Sequence, residues 1–372
     1  MNSFTELLEK VNVARVSGIP FVMYRKPDSK IISCMIQKDG RLQYVKNYSE
    51  SGFIMAPFMN ADKRVLFSHD NGTFYTGDFH LEPLSGGDFY GMDVMRNSDE
   101  FDKTKHLKLV QEGISAIAQE KVIKVVLSRR EVLALNDIDL SLIFRKLSSN
   151  YPLAFVYIWY HPEIGLWAGA SPERFLIAKG EQFSTMALAG TQSFTGKKEI
   201  IWGSKEVREQ QIVTDHIVNE LSGMHIKVGS PYTKKAGNLI HICTDIHGKL
   251  TGKENLSTLI QKLHPTAAVC GLPKKEAQEF ILAHEGYDRS FYTGFLGELN
   301  YENTGSGDAA IESSGALETN LYVNRRCMQL ISEPRPAALL YIGGGITKGS
   351  LPELEWEETV EKSKVMKSVL FD

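Results

Sequence analysis

The sequence lacks nearly everything that would announce a zinc ribbon, a disulfide scaffold, a membrane anchor or a nucleic-acid binder. Four cysteines, Cys34, Cys243, Cys270 and Cys327, are scattered with no C-x-x-C spacing, so neither a zinc site nor a disulfide framework is signalled. The longest apolar run, "PLAFVYIWY", falls far short of a membrane span, and "MNSFTELLEK" has no basic stretch leading into an apolar one. A net charge of −3 without a basic cluster argues against nucleic acid and leaves a small molecule as the ligand. These absences predict a soluble, cytoplasmic protein with no membrane or nucleic-acid partner. Nucleotide signatures are missing too: "GGGITKGS" fails the P-loop spacing, no segment forms the dinucleotide fingerprint, and "HEGYD" lacks the second histidine of a zinc protease. No proline- or glycine-rich linker divides the chain after residue 100, which predicts one large body.

What is present is strongly patterned. Up to about residue 100, runs such as "IPFVMYR", "KIISCMIQ" and "RVLFSHD" alternate with Gly, Asn and Asp turns, as in antiparallel strands and hairpins. Then Leu107, Val110, Ile114 and Ile117 recur at helical spacing behind Asp99 and Asp102. In the following strand, "KVIKVVLSRREV", Lys124 interrupts a run of Val122, Ile123, Val125, Val126 and Leu127, the composition of a strand covered on both faces. Such a lysine carries its ammonium out to water, pairs with a carboxylate, or has its charged form destabilised so that it acts as a base. Two helical segments hold equally odd carboxylates. Glu209 lies one turn before the apolar stripe of Ile212, Val213, Ile217 and Leu221, on its inward side, and Glu355 and Glu358 share a face with Lys362. Acidic residues opening that last helix also suit its dipole. Glycines end the apolar runs in "GASPERF", "ALAGT" and "YIGGGITKGS", where a missing side chain lets a ligand approach the backbone.

Taken in order, "KVVLSRR", "GASPERFL", "ALAGT", "KEVREQQIVTD", "HICTDIHGKL", "HPTAAVCGLP", "YDRSFYTGFLGE", "VNRRC", "YIGGGI" and "EWEETVEKS" resemble the chorismate-utilising enzymes, the family of anthranilate, aminodeoxychorismate, salicylate and isochorismate synthases. The resemblance covers residues 105–372 and leaves 1–104 as a variable, β-rich part of the same body. It implies an α/β (α+β) fold like that of anthranilate synthase component I: a single large domain of two facing, mostly antiparallel sheets with helices outside. It also implies a Mg²⁺ gripped by Glu209 and Glu358, with Glu355 assisting through water, which agrees with the preference of this hard cation for one or two carboxylates and several waters.

Lys124 matches a position where water-using members carry lysine and ammonia-using members carry glutamine or another non-basic residue; it would be the base that activates water, its pKa lowered by desolvation. Glu173 of "SPERF" matches the acid that protonates the departing C4 oxygen. Gly190, Thr191, His241, Ala268 and Gly343 match the pocket wall, and Arg326 and Lys362 match the residues holding substrate carboxylates. Ala189 stands where aminodeoxychorismate synthases carry a nucleophilic lysine, and the turn "QSFTGKKE", residues 192–199, departs from the arginine-rich turn of many relatives. The resemblance therefore implies an isochorismate synthase, an isomerase of the hydroxymutase type acting in menaquinone or siderophore biosynthesis, monomeric or weakly dimeric, with no obligatory glutamine amidotransferase. The alternatives are a salicylate synthase, which also eliminates pyruvate, and a non-catalytic chorismate-binding protein.

Overall fold

Large apolar side chains alternate along the strands and build two sheets around a shared aromatic filling. The computed structural model describes residues 2–79, 99–194, 200–236, 239–250, 255–302 and 317–371. One sheet runs in the spatial order Gly271–Leu272, Lys124–Ala134, Ala337–Ile346, Cys327–Ile331, Gly165–Ser171, Phe155–His161, Phe21–Arg25, Ile31–Gln37 and Gly72–Asp78. The other runs His225–Val228, Leu239–Lys249, Gln182–Ser193, Arg174–Lys179, Leu317–Val323, Phe295–Glu302, Gly52–Ala56 and Val65–Ser68, with Tyr232–Ala236 also paired to Leu239–Lys249. Every ladder between these strands is antiparallel.

The strand Phe21–Arg25 shows how one sequence serves two faces. Val22 and Tyr24 point between the sheets while Phe21 and Met23 join the core on the other side, so the whole strand is buried. Between the sheets, Phe155 stacks on Tyr322 at 4.4 Å and Phe67 on Trp159 at 4.9 Å, contacts that add about 0.5–1.5 kcal/mol each beyond the area they bury. The outer face of the first sheet is covered by helices Phe4–Val16, Leu140–Asn150 and Pro352–Phe371, and that of the second by Ser204–Glu220 and Leu256–Leu263. The four cysteines are free and buried.

The first of these helices departs from the strands-only expectation for residues 1–100. Ser3 Oγ accepts from the Glu6 N–H, and the Glu6 carboxylate accepts from the Ser3 N–H. This reciprocal cap is legible in "SFTE" and starts a helix ahead of the first of the runs that suggested strands.

The strand Lys124–Ala134 pairs along its length with Ala337–Ile346, but on its other side only with the two residues Gly271 and Leu272. Beyond them a buried ion pair takes over. Glu285 and Arg289 have side chains 1% exposed; Glu285 Oε1 accepts from the Ser128 N–H at 2.7 Å, and Arg289 donates to the carbonyls of Val126 at 2.6 Å and Val269 at 2.9 Å. Desolvation offsets much of the attraction in such a pair, but removing one partner strands a buried charge. Glu285→Leu should therefore lower stability by about 3–5 kcal/mol, read as a fall in the urea midpoint, and adding Arg289→Met should recover part of the loss. An unchanged midpoint in the single variant would show that the pair does not secure this strand.

Candidate active site

Lys124 has no exposed surface, which rules out an ammonium reaching for water. Its Nζ stands 3.0 Å from Glu209 Oε1 without the alignment of a hydrogen bond. Glu209 projects from the helix Ser204–Glu220, and Gly345 is what gives it room. A Cβ built on that glycine would lie 2.3 Å from Glu209 Oε1 and 3.2 Å from Lys124 Cε. Burial works against a charged Glu209, but Lys124, then Lys362 and Lys205, outweigh it and hold the carboxyl below its usual range.

The other carboxylates also meet cations. Glu358 pairs with Lys362 at 2.6 Å, and Lys362 donates as well to the Gly343 carbonyl at 2.9 Å. Glu355 does not join that pair, although sequence spacing puts it on the same face; its Oε1 takes Lys205 Nζ at 2.6 Å from the neighbouring helix. Its Oε2 is buried without a hydrogen-bond partner, and burial, then the nearby Glu358, push its pKa up against the pull of Lys205. Glu173, buried, pairs with Arg325 at 2.5 Å.

Arg326 is the exception. Among the described residues it makes no ion pair: Nη2 donates to His241 Nε2 at 2.6 Å and Nη1 to the Ala236 carbonyl at 3.2 Å. Burial and the adjacent Arg325 pull it down to about 9, so it is still a cation at neutral pH. Because guanidinium only donates, His241 must accept on Nε2 and carry its proton on Nδ1, which lies 3.1 Å from the Gly190 carbonyl and 3.2 Å from Thr191 Oγ1. Burial, then Arg326, keep this imidazole neutral well below its usual range.

These groups surround one pocket. Gly190, Thr191, Glu209, Ala268, Arg326, Gly343 and Lys362 line it, with His241 behind Arg326. Lys124, Glu173 and Glu358 stand one layer back, each joined to the pocket through its ion-pair partner, and Glu355 is joined to the cluster through Lys205. The free space is only about 60 Å³, and the cations around it other than Arg326 are paired with the site's own carboxylates. Sequence reasoning missed Arg325, which lines the pocket beside Arg326, and Lys205; the arginine doublet in "VNRRC" and the i, i+4 spacing of Lys205 and Glu209 were the available signals. Residues 195–199 of the divergent turn lie outside the described residues.

Among the described residues no three His, Cys, Asp or Glu side chains converge into a closed metal cage. The donor set nonetheless suits a hard cation. Glu209, Glu355 and Glu358 offer only carboxylate oxygens, one of them buried and unpartnered, and Mg²⁺ normally uses one or two carboxylates and fills the rest with water.

A sequence pattern described as "Chorismate binding enzyme" matches residues 88–371. The chain belongs to the chorismate-binding enzyme family. It is 28% identical over 281 residues to "Isochorismate synthase EntC" of Escherichia coli K12, covering 72% of this chain and 67% of that protein. It is also 28% identical over 289 residues to "Isochorismate synthase MenF" of Bacillus subtilis, covering 74% of this chain and 58% of that protein. The fold is that of a putative 2,3-dihydroxybenzoate-specific isochorismate synthase, DhbC, from Bacillus anthracis, with a TM-score of 0.74 at 22% identity over 98% of this chain and 99% of that one. Anthranilate synthase component I from Streptococcus pneumoniae superposes with a TM-score of 0.63 at 17% identity over 93% and 89% of the two chains. The expected fold, two facing antiparallel sheets with helices outside, is thus the one found.

The state of His241 can be read directly. Its ¹⁵N shifts at pH 6 should report a neutral ring protonated on Nδ1, since burial and Arg326 both oppose the imidazolium. A ring that titrates near 6.5 would mean that Arg326 is not held against it.

Proposed function

We propose that this protein is an isochorismate synthase that adds water at C2 of chorismate and expels the C4 hydroxyl. The observation that carries this reading is Lys124, a fully buried lysine beside a pocket lined by cations. A neutral amine there can take a proton from water, whereas an incoming ammonia would need no such base. Curated relatives named isochorismate synthases, EntC and MenF, support it.

Chorismate carries two carboxylates, and Arg326, lacking an acidic partner, is placed to take one in bidentate fashion. Lys362 would take the other on leaving Glu358. Gly190, Thr191, Ala268 and Gly343 shape the wall against the ring, and His241 fixes the guanidinium. For turnover Lys124 must be unprotonated and Glu173 protonated, so each must first be released from its partner, Glu209 and Arg325 respectively. Lys124 then accepts a proton as the water oxygen bonds to C2, and Glu173 gives one to the C4 oxygen as that bond breaks; the ring π electrons shift between them, and one water enters as one leaves. Glu209 and Glu358, with Glu355 through water, would hold Mg²⁺, which supplies charge neutralisation at a substrate carboxylate. No amidotransferase is called for when water is the nucleophile.

Chromatography of an incubation with chorismate and Mg²⁺ tests the reading. Isochorismate should accumulate; pyruvate with salicylate would move the assignment to a salicylate synthase, and unchanged chorismate would leave a binding protein.

Lys124→Gln should lower isochorismate formation by a factor of roughly 10² or more with little change in KM, because binding rests on Arg326 and Lys362. Near-normal turnover would return this lysine to a purely structural role opposite Glu209.

Chelation with EDTA should abolish turnover, and Glu358→Gln should raise the Mg²⁺ concentration needed for half-maximal rate at least about tenfold. Full activity in metal-free buffer would remove the metal from the scheme.

A further inference from the structure

Along the open edge of the strand Lys124–Ala134 lies a second cleft, of about 370 Å³, that the proposed reaction leaves without a role. Its walls come from three elements. The helix Asp99–Ala118 supplies Lys105 and His106, the strand supplies Arg129 and Arg130, and the turn before Arg289 supplies Tyr287.

The edge is open because Gly271 and Leu272 pair only with Val125 and Lys124. The Ser128 N–H points to this side, where Glu285 takes it, so by the two-residue period the backbone of Arg130 and Val132 faces the same way. Among the described residues no acceptor meets those two N–H groups.

The charge of the cleft is positive. Arg130 lies over the Tyr287 ring at 4.6 Å, and neither it nor Lys105 has a carboxylate partner among the described residues. Asp102 is the acid on the rim, and Glu285 is spent: Arg289 takes both of its oxygens and Ser128 shares one. Lys105 reaches across the mouth toward Gly286, its Nζ 3.8 Å from where a Cβ on that glycine would stand. At the floor His106 is only 4% exposed, and neither ring nitrogen has a hydrogen-bond partner. A buried imidazole left so is costly, and a neutral one offers one donor and one acceptor, the complement of a hydroxyl group.

We propose that this cleft binds a small organic carboxylate bearing a hydroxyl group, at a site separate from the catalytic pocket. The carboxylate meets Arg130, Lys105 and the free edge N–H groups, the body of the ligand lies against Tyr287, and its hydroxyl, directly or through one water, satisfies His106. Arg129, which lines the cleft, also donates to Thr359 at 2.8 Å and lies over Trp356 at 4.6 Å, so it links the cleft to the helix that carries Glu355 and Glu358.

Titration calorimetry with 4-hydroxybenzoate, benzoate and inorganic phosphate tests the site without reference to turnover. 4-Hydroxybenzoate should bind with a dissociation constant of about 1 mM or below, several-fold tighter than benzoate. Arg130→Ala should weaken both acids about tenfold and leave KM for chorismate unchanged, while His106→Leu should erase the preference for the hydroxylated acid. Wild-type affinity in Arg130→Ala would overturn the proposal, since binding would then lie elsewhere. So would phosphate binding as tightly as the organic acids, the mark of a plain basic patch, or no heat from any probe up to about 10 mM.

Discussion

An ammonium shut away from water must be answered by a negative charge, and the contact between Lys124 and Glu209 is the constraint on which the rest of the site depends. The strand gives Lys124 no exposed surface, and the desolvation cost of an unpaired ion is several kcal/mol. Only a carboxylate arriving from the facing helix offsets it, and that carboxylate fits only where Gly345 lacks a side chain. Glu209 in turn draws its charge from Lys205 and Lys362 as well as Lys124, so the outer ion pairs are set by the inner one.

The result is a pocket that compensates its own charges. Glu173, Glu209, Glu355 and Glu358 each hold a cation around a tight free volume. A dicarboxylate entering such a place exchanges partners and adds few new ones, so its affinity is a difference between two sets of ion pairs. Arg326 breaks the pattern: its neighbours are a neutral imidazole and a carbonyl, which leaves its charge available to the ligand. His241 is thereby a support for a guanidinium, and the glycine and threonine it touches fix the tautomer that lets it do so.

Much of this was legible in the chain because the site is built from short blocks in which composition and function conflict. A lysine in an apolar strand and a glutamate on a helix's inward side are visible as exceptions to a period. The fold followed from the same blocks, while the N-terminal helix escaped notice because its signal, the cap formed by Ser3 and Glu6, is short and stands just before strand-like runs. What the sequence could not disclose was who pairs with whom. Lys205 and Glu355 are 150 residues apart and Glu173 and Arg325 are 152, and no local spacing favours those matches over others. Periodicity placed Glu355 beside Lys362 on one helix face; packing of a second helix gave it a different cation.

The position of the helix Pro352–Phe371 also sets a timetable. Glu355, Glu358 and Lys362 all lie on it, whereas Lys124 and Glu209 are made far earlier. On the ribosome, the first sheet's last strand, Ala337–Ile346, is made before that helix, but the cluster cannot neutralise itself until the chain has been synthesised through Lys362. Until then Lys205 has no Glu355 to meet, and the apolar face that this helix will cover, around Leu340 and Ile342, stands open. Apolar strand surface left uncovered while that helix is still missing is the kind that aggregates, so the order of synthesis leaves an interval of exposure between the strand and its cover.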